Sequence, residues 1–115
     1  MTFAEELKKL SDTANFDILM AERCAAIKDQ MREVAEQGIR CFQIDIVKVF
    51  PGKTYGKPPK VDNYYVIFSD RTHCNDDYKR KIIQFMEQQG FSKHSIEVAT
   101  ITNSCGCCTN ITVRW

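Results

Sequence analysis

Long apolar runs are missing from this chain. A membrane-spanning helix needs about 20 consecutive apolar residues, and no stretch of the sequence approaches that length. Residues 1–10 carry Glu5, Glu6, Lys8 and Lys9, where a secretory signal needs uninterrupted apolar residues. Export and membrane insertion are therefore not expected, and a cytoplasmic protein is. An excess of charge is missing too. Sixteen Lys and Arg against fifteen Asp and Glu leave a net of +1, so no bulk field draws the molecule to nucleic acid or to a lipid surface. The sequence has no phosphate-binding glycine loop, no nucleophile elbow and no paired-carboxylate motif. These absences point away from an enzyme. Internal repeats and low-complexity segments are lacking as well.

What remains is an ordinary globular composition, 43% hydrophobic and 27% charged over 115 residues. That length suits one domain, residues 1–115, large enough to bury a core without staples. Thr2 and Glu5 form a capping box at the start of a helix. Phe3, Leu7 and Leu10 follow at helical spacing. Ser11-Asp12-Thr13 reads as a weak break. Phe16, Met20, Cys24, Ile27, Met31 and Val34 then recur at steps of three and four, which is the apolar stripe of one long amphipathic helix. Gly38 stops it, giving a helix over residues 2–37.

From Ile39 to Phe50 the period changes to two, the mark of a strand. Pro51-Gly52 ends it, and residues 51–63 hold two Gly and three Pro. Residues 64–69 form a second strand. Tyr78, Ile82, Phe85 and Met86 mark the buried side of a second helix, capped by Thr72, Asn75 or Asp76 and stopped by Gly90. Residues 95–101 form a third strand, residues 102–110 a turn region, and Ile111, Val113 and Trp115 alternate along the last strand. The order α-β-β-α-β-β predicts an α+β fold. The two strands that flank the second helix should run in one direction. A four-stranded antiparallel sheet in the order 1-2-4-3, with the helices on one face, meets these conditions. It would be a circular permutation of the ferredoxin-like arrangement.

The cysteines are the unusual feature. Six occur, three of them in Cys105-Gly106-Cys107-Cys108. In a reducing compartment free thiols or metal ligands are expected rather than disulfides. The predicted topology carries Cys41, His73, Cys74, Cys105, Cys107 and Cys108 to one rim of the sheet. His73, Cys74, Cys105, Cys107 and Cys108 would then supply a tetrahedral zinc set. Against this, the spacing matches no paired C-x-x-C module, and reduced thiols near a turn explain the same pattern. No cofactor is the first expectation and zinc the alternative. Redox chemistry at Cys105 and Cys108 lacks a helix N-terminus to activate a thiol. Cys24 sits on the helix stripe as a small core residue. His73 and Cys74, adjacent in extended chain, point apart and make a poor base and nucleophile.

Two surfaces suggest partners. Lys48, Lys53, Lys57 and Lys60, with Tyr55 among them, lie on or beside the first loop. Residues 38–61 hold five basic residues and one acidic, so this loop is a candidate nucleic-acid contact. The sheet face away from the helices is assigned Val47, Val49, Tyr65, Ile67 and Ile101. With two helices available it has no evident cover, which suggests a protein partner or self-association.

In outline the chain resembles small uncharacterised α/β proteins encoded by bacteriophages. The resemblance rests on the charged opening MTFAEELKKL, the helix end FMEQQGF and the strand ending ITVRW. It implies an accessory protein that modulates a host factor in the host cytoplasm, or an assembly part. It implies no functional residues.

Overall fold

The N-terminal helix is built from its ends inward. Thr2 adopts an extended conformation, and its hydroxyl accepts a hydrogen bond from the Glu5 N–H at 3.2 Å, satisfying one of the amide donors that every helix start leaves open. Helix α1 then runs unbroken over Phe3–Glu36 in the computed structural model, which describes residues 2–53, 63–69 and 73–115. The weak break read at Ser11-Asp12-Thr13 does not interrupt it. The Thr13 hydroxyl donates back to the Lys9 carbonyl at 3.0 Å and is absorbed into the helix. At the far end Gly38 takes φ +87°, and the Ile39 N–H returns to the Val34 carbonyl. This is the left-handed closure that glycine permits.

Strand β1 (Cys41–Val49) follows, then β2 (Tyr64–Phe68), helix α2 (Asn75–Gln88), a single 3-10 turn (Lys93–Ser95), β3 (Ile96–Asn103) and β4 (Gly106–Arg114). The α+β class and the element order agree with the sequence reading. Within the sheet the order is β2-β1-β4-β3, and β1 pairs with β2 in parallel. The sheet is therefore mixed, with β1 and β2 exchanged relative to the all-antiparallel order 1-2-4-3. The physical reason lies in β1. Ile44, Asp45, Ile46 and Val47 are consecutively buried, which only a central strand allows. The connection over residues 50–63 is long enough to bring the chain back to the starting end of the sheet, as a parallel neighbour requires. Strands β2 and β3 do run in one direction, as expected for strands flanking a helical crossover.

Both helices pack on one face. Phe42, Ile44 and Ile46 of β1, Ile67 of β2, and Ile111 and Val113 of β4 share that face by register. They form one core with the α1 stripe from Phe16 to Val34 and with Tyr78, Ile82 and Met86 of α2. The α1 residues read as a core stripe are all buried. Helix α1 is longer than the body it covers. Its 34 residues span about 51 Å at 1.5 Å per residue, matching the molecule's longest dimension of 53 Å.

Candidate binding surface and the cysteine rim

The face of the sheet opposite the helices is ordered in rows by strand register. The first row holds Tyr64, Gln43, Thr112 and Glu97, the second Val66, Asp45, Asn110 and Ala99, and the third Phe68, Val47, Cys108 and Ile101. Polarity falls along these rows. Beside the first, Arg114 meets Glu97 at 2.6 Å. In the second, Asp45 is almost fully buried. Its carboxylate accepts from Gln43 Nε2 at 3.0 Å and from the Tyr64 hydroxyl. Burial raises the Asp45 pKa, against the lowering effect of hydrogen bonds from Gln43 and Cys108. The third row is apolar. Val47 is buried at its centre, while Phe68 is 60% exposed on one side and Ile101 53% exposed on the other.

Cys108 belongs to that row. Its thiol donates to Asn110 Oδ1 at 3.1 Å. Its pKa is pushed up to about 11, first by burial and then by the nearby Asp45 carboxylate. Such a thiol stays protonated near neutral pH and is a poor nucleophile.

Cys107 points the other way, because successive strand residues alternate between faces. Asn75, buried at the start of α2, binds it from the helix side. Asn75 Nδ2 donates to the carbonyls of Ile46 and Cys107 at 3.2 and 3.3 Å and lies 3.3 Å from Cys107 Sγ. One amide thus ties α2 to both β1 and β4. Its Oδ1 is buried without a partner among the described residues.

The hairpin tip is smaller than the sequence reading allowed. Residues 104 and 105 alone form the turn, and Cys107 and Cys108 lie within β4. Asn103 Oδ1 closes the turn by accepting from the Cys105 and Gly106 amides at 2.8 and 3.2 Å. Cys105 is exposed there. Cys74 is the N-cap of α2, where its amide and thiol both donate to Asp77 Oδ2 at 3.1 and 3.4 Å. Those bonds hold the Asp77 carboxyl below its ordinary range. His73 stacks on Phe16 of α1 with ring centroids 3.9 Å apart and the planes 13° from parallel.

The zinc set therefore does not assemble. Cys107 and Cys108 occupy opposite faces, His73 is stacked on an aromatic ring, and all six cysteines are free. Among the described residues no group of three or more His, Cys, Asp or Glu is arranged to hold a metal ion. Cys41 is also removed from the rim. It pairs with Arg114, at the opposite end of the ladder from Val49 and Gly106, because β1 runs with β2 rather than against it. Cys24 is buried in the core as expected, with its pKa raised to about 11 by that burial.

The partner face is corrected in two places. Val47, Val49 and Ile101 lie on the open side, but Tyr65 and Ile67 share the register of Ile44 and Ile46 and face the helices. Tyr65 receives a hydrogen bond from Arg23 of α1 at 3.3 Å, and Ile67 is in the core. Phe68, Cys108 and Asp45, which the sequence reading did not assign there, belong to the open side. Of the basic loop, Lys48 and Lys53 are described and exposed. Tyr55, Lys57 and Lys60 lie outside the described residues.

These features define a class of protein: a small α+β domain with two helices on one face of a mixed four-stranded sheet and the other face open. Comparison of the chain with protein-family models, with curated proteins and with solved structures finds no match. No described helix is long and apolar enough to cross a membrane.

Proposed function

We propose that this chain is a non-enzymatic binding protein that engages a protein partner through the third row of its open sheet face. The observation that carries this reading is the row itself: Phe68 and Ile101, large and more than half exposed, flank buried Val47 and half-buried Cys108 across all four strands. Contiguous apolar surface rimmed by polar groups is the usual mark of a protein contact site. Here the polar edge is Asp45 and Asn110, at the centre of the next row. That row also argues for recognition rather than chemistry. Asp45 is enclosed by Gln43 and Tyr64, and the neighbouring thiol of Cys108 is held protonated, so neither presents a reactive group to a substrate. On the outline resemblance to phage accessory proteins, the proposed partner is a host factor in the host cytoplasm or a component of an assembly.

The test is affinity capture from a host-cell extract with the native chain and with a Phe68→Lys/Ile101→Lys variant. Both positions are exposed, so the variant should fold, which circular dichroism checks. The native chain should retain a partner that the variant loses. Retention of every captured protein by the folded variant would refute the proposal.

A further inference from the structure

Strand β3 (Ile96–Asn103) closes one side of the sheet and pairs with β4 alone. An edge strand presents a row of unpaired backbone groups, and natural sheets blunt such rows by shortness, lysine, proline or a bulge. β2, at the other edge, is five residues long. β3 uses none of these devices. It is eight residues long, contains neither Lys nor Pro, and pairs without a bulge from Ile96–Val113 to Asn103–Gly106. Its one charged residue, Glu97, is tied to Arg114 at 2.6 Å. Both sides of the strand are bare as well. Val98 faces the helices by its pairing with buried Ile111 yet is 43% exposed, and Ile101 is 53% exposed on the open face.

The ladders determine which backbone groups are free. The Phe50 N–H bonds the Cys105 carbonyl, and the Trp115 N–H bonds the Arg40 carbonyl, so the odd-numbered residues of β4 turn their backbone groups to β1. Bonding direction alternates along an antiparallel strand. Gly106, Cys108, Asn110 and Thr112 therefore bond β3, through Asn103, Ile101, Ala99 and Glu97. The N–H and C=O groups of Val98, Thr100 and Thr102 point out of the sheet, and none of them bonds another described residue. Ile96 is next in that series, but its N–H returns to the Lys93 carbonyl.

We propose that this edge pairs antiparallel with the same edge of a second copy, about a two-fold axis at Thr100. A two-fold contact requires that residue i meet j and that j meet i, and the free groups obey this about their middle residue. Thr100 bonds its own counterpart, Val98 bonds Thr102 of the second copy, and Thr102 bonds Val98, so every free N–H meets a free carbonyl. The register has no slack. A shift of two residues sets Val98 against the turn residue Ser104 in one direction, and Thr102 against Ile96, whose N–H is taken, in the other. Side chains agree. Thr100 lies beside Thr100, a favoured cross-strand pair, and Ile101 lies beside the small Ala99. Glu97 stands opposite Asn103 and about 20 Å along the strand from Glu97 of the second copy. Each residue meets one of its own face, so both pairs of helices fall on one side and the four-stranded sheet continues into its copy.

Sedimentation velocity from micromolar to near-millimolar concentration, under reducing conditions, tests the pairing. The native chain should reach twice its 13.3 kDa. Thr100→Pro removes the central N–H, which the β3–β4 ladder does not use, and edge strands accept proline at such positions. Thr100→Lys sets like charges directly opposite each other at the axis. Both variants should stay at 13.3 kDa with circular dichroism preserved, whereas Phe68→Lys, on the far edge, should still dimerise. Thr100 faces the helix side, so the Thr100→Lys monomer keeps the third row and lets the sheet-face reading be tested by itself. Amide hydrogen exchange reads the bonds directly. Val98, Thr100 and Thr102 should be protected in the native dimer and exchange freely in Thr100→Lys, while Ala99 and Ile101 stay protected in both. A native chain that stays monomeric, a dimer that survives in both folded Thr100 variants, a dimer lost in Phe68→Lys, or unprotected amides at 98, 100 and 102 in the dimer would each overturn the proposal.

Discussion

Replacing Gly106 by alanine tests how tightly the cysteine hairpin is locked to the centre of the sheet. A Cβ at Gly106 would lie 2.0 Å from the Lys48 carbonyl oxygen, 3.0 Å from the Lys48 carbonyl carbon and 3.1 Å from Val49 Cα. All three atoms are backbone, so no side chain can swing aside. The strand must move by about an ångström to restore ordinary contact, and it is not free to do so. β1 and β4 are paired from Cys41–Arg114 to Val49–Gly106, and the same corner holds the Phe50 N–H to Cys105 carbonyl bond at 2.9 Å. Overpacking of this kind costs about 1–3 kcal/mol. Loss of one ladder hydrogen bond adds about 1 kcal/mol. The expected loss is about 2–4 kcal/mol, a large part of a typical domain's stability. In urea, with a slope of about 1–3 kcal/mol per molar, the unfolding midpoint should fall by at least about 0.7 M. Gly38→Ala is the matched control. Gly38 sits at φ +87° with nothing within 4 Å of its Cβ direction, so that change costs only left-handed backbone strain, about 1–2 kcal/mol. A Gly106→Ala midpoint no lower than that of Gly38→Ala would refute the close-approach argument.

Asn75→Ala removes the amide that joins α2 to Ile46 and Cys107 and leaves two carbonyls without that donor. It should lower stability by about 1–3 kcal/mol, measured by urea unfolding, and an unchanged midpoint would contradict the role given to Asn75. Asp45 predicts a pH dependence. Burial raises its folded pKa above the unfolded value, so its contribution is full below the unfolded pKa and is lost as pH rises through the folded pKa. The stability of the native chain relative to Asp45→Asn should therefore grow as pH falls from neutral toward about 4; growth in the opposite direction would contradict the assignment. Asn103→Ala should lower stability by about 1 kcal/mol through loss of the turn closure, and an unchanged midpoint would show that Ser104 and Cys105 turn without it.

The long helix was legible because its buried stripe repeats over residues 16–34 without interruption, and its caps carry local chemistry in Thr2 and Gly38. The β3–β4 hairpin is legible as a pair of strands, although the sequence suggests a wider turn than the two residues that form it. Cysteine and asparagine residues look like turn composition, whereas the nine-residue ladder to β1 extends β4 down to Gly106. Strand β2 was the obscure element. Tyr64-Tyr65-Val66-Ile67-Phe68 is apolar or aromatic at every position, so alternation gives no sign of which face meets the helices. The pattern alone therefore does not separate Tyr65 and Ile67, which face the helices, from Val66 and Phe68 on the open side. The parallel pairing of β1 and β2 was equally hidden, since residues 50–63 suit a wide hairpin and a return crossover alike. That pairing decides the end of the sheet at which Cys41 falls, and so the make-up of the cysteine rim. Asp45 and Asn75 left weak signals: a carboxylate between isoleucines in a strand, and an asparagine one place inside a helix start. Both acquire meaning only from the strands packed around them.

The central claim, that the third row of the open face is a protein contact surface, is tested most directly by site-specific photo-cross-linking in the expressing host cell. A photoreactive side chain at Ile101 should form an adduct with one partner protein, while the same side chain at Gln84, exposed on the outer side of α2, should form none. No adduct from position 101, or equal adducts from both positions, would contradict the claim.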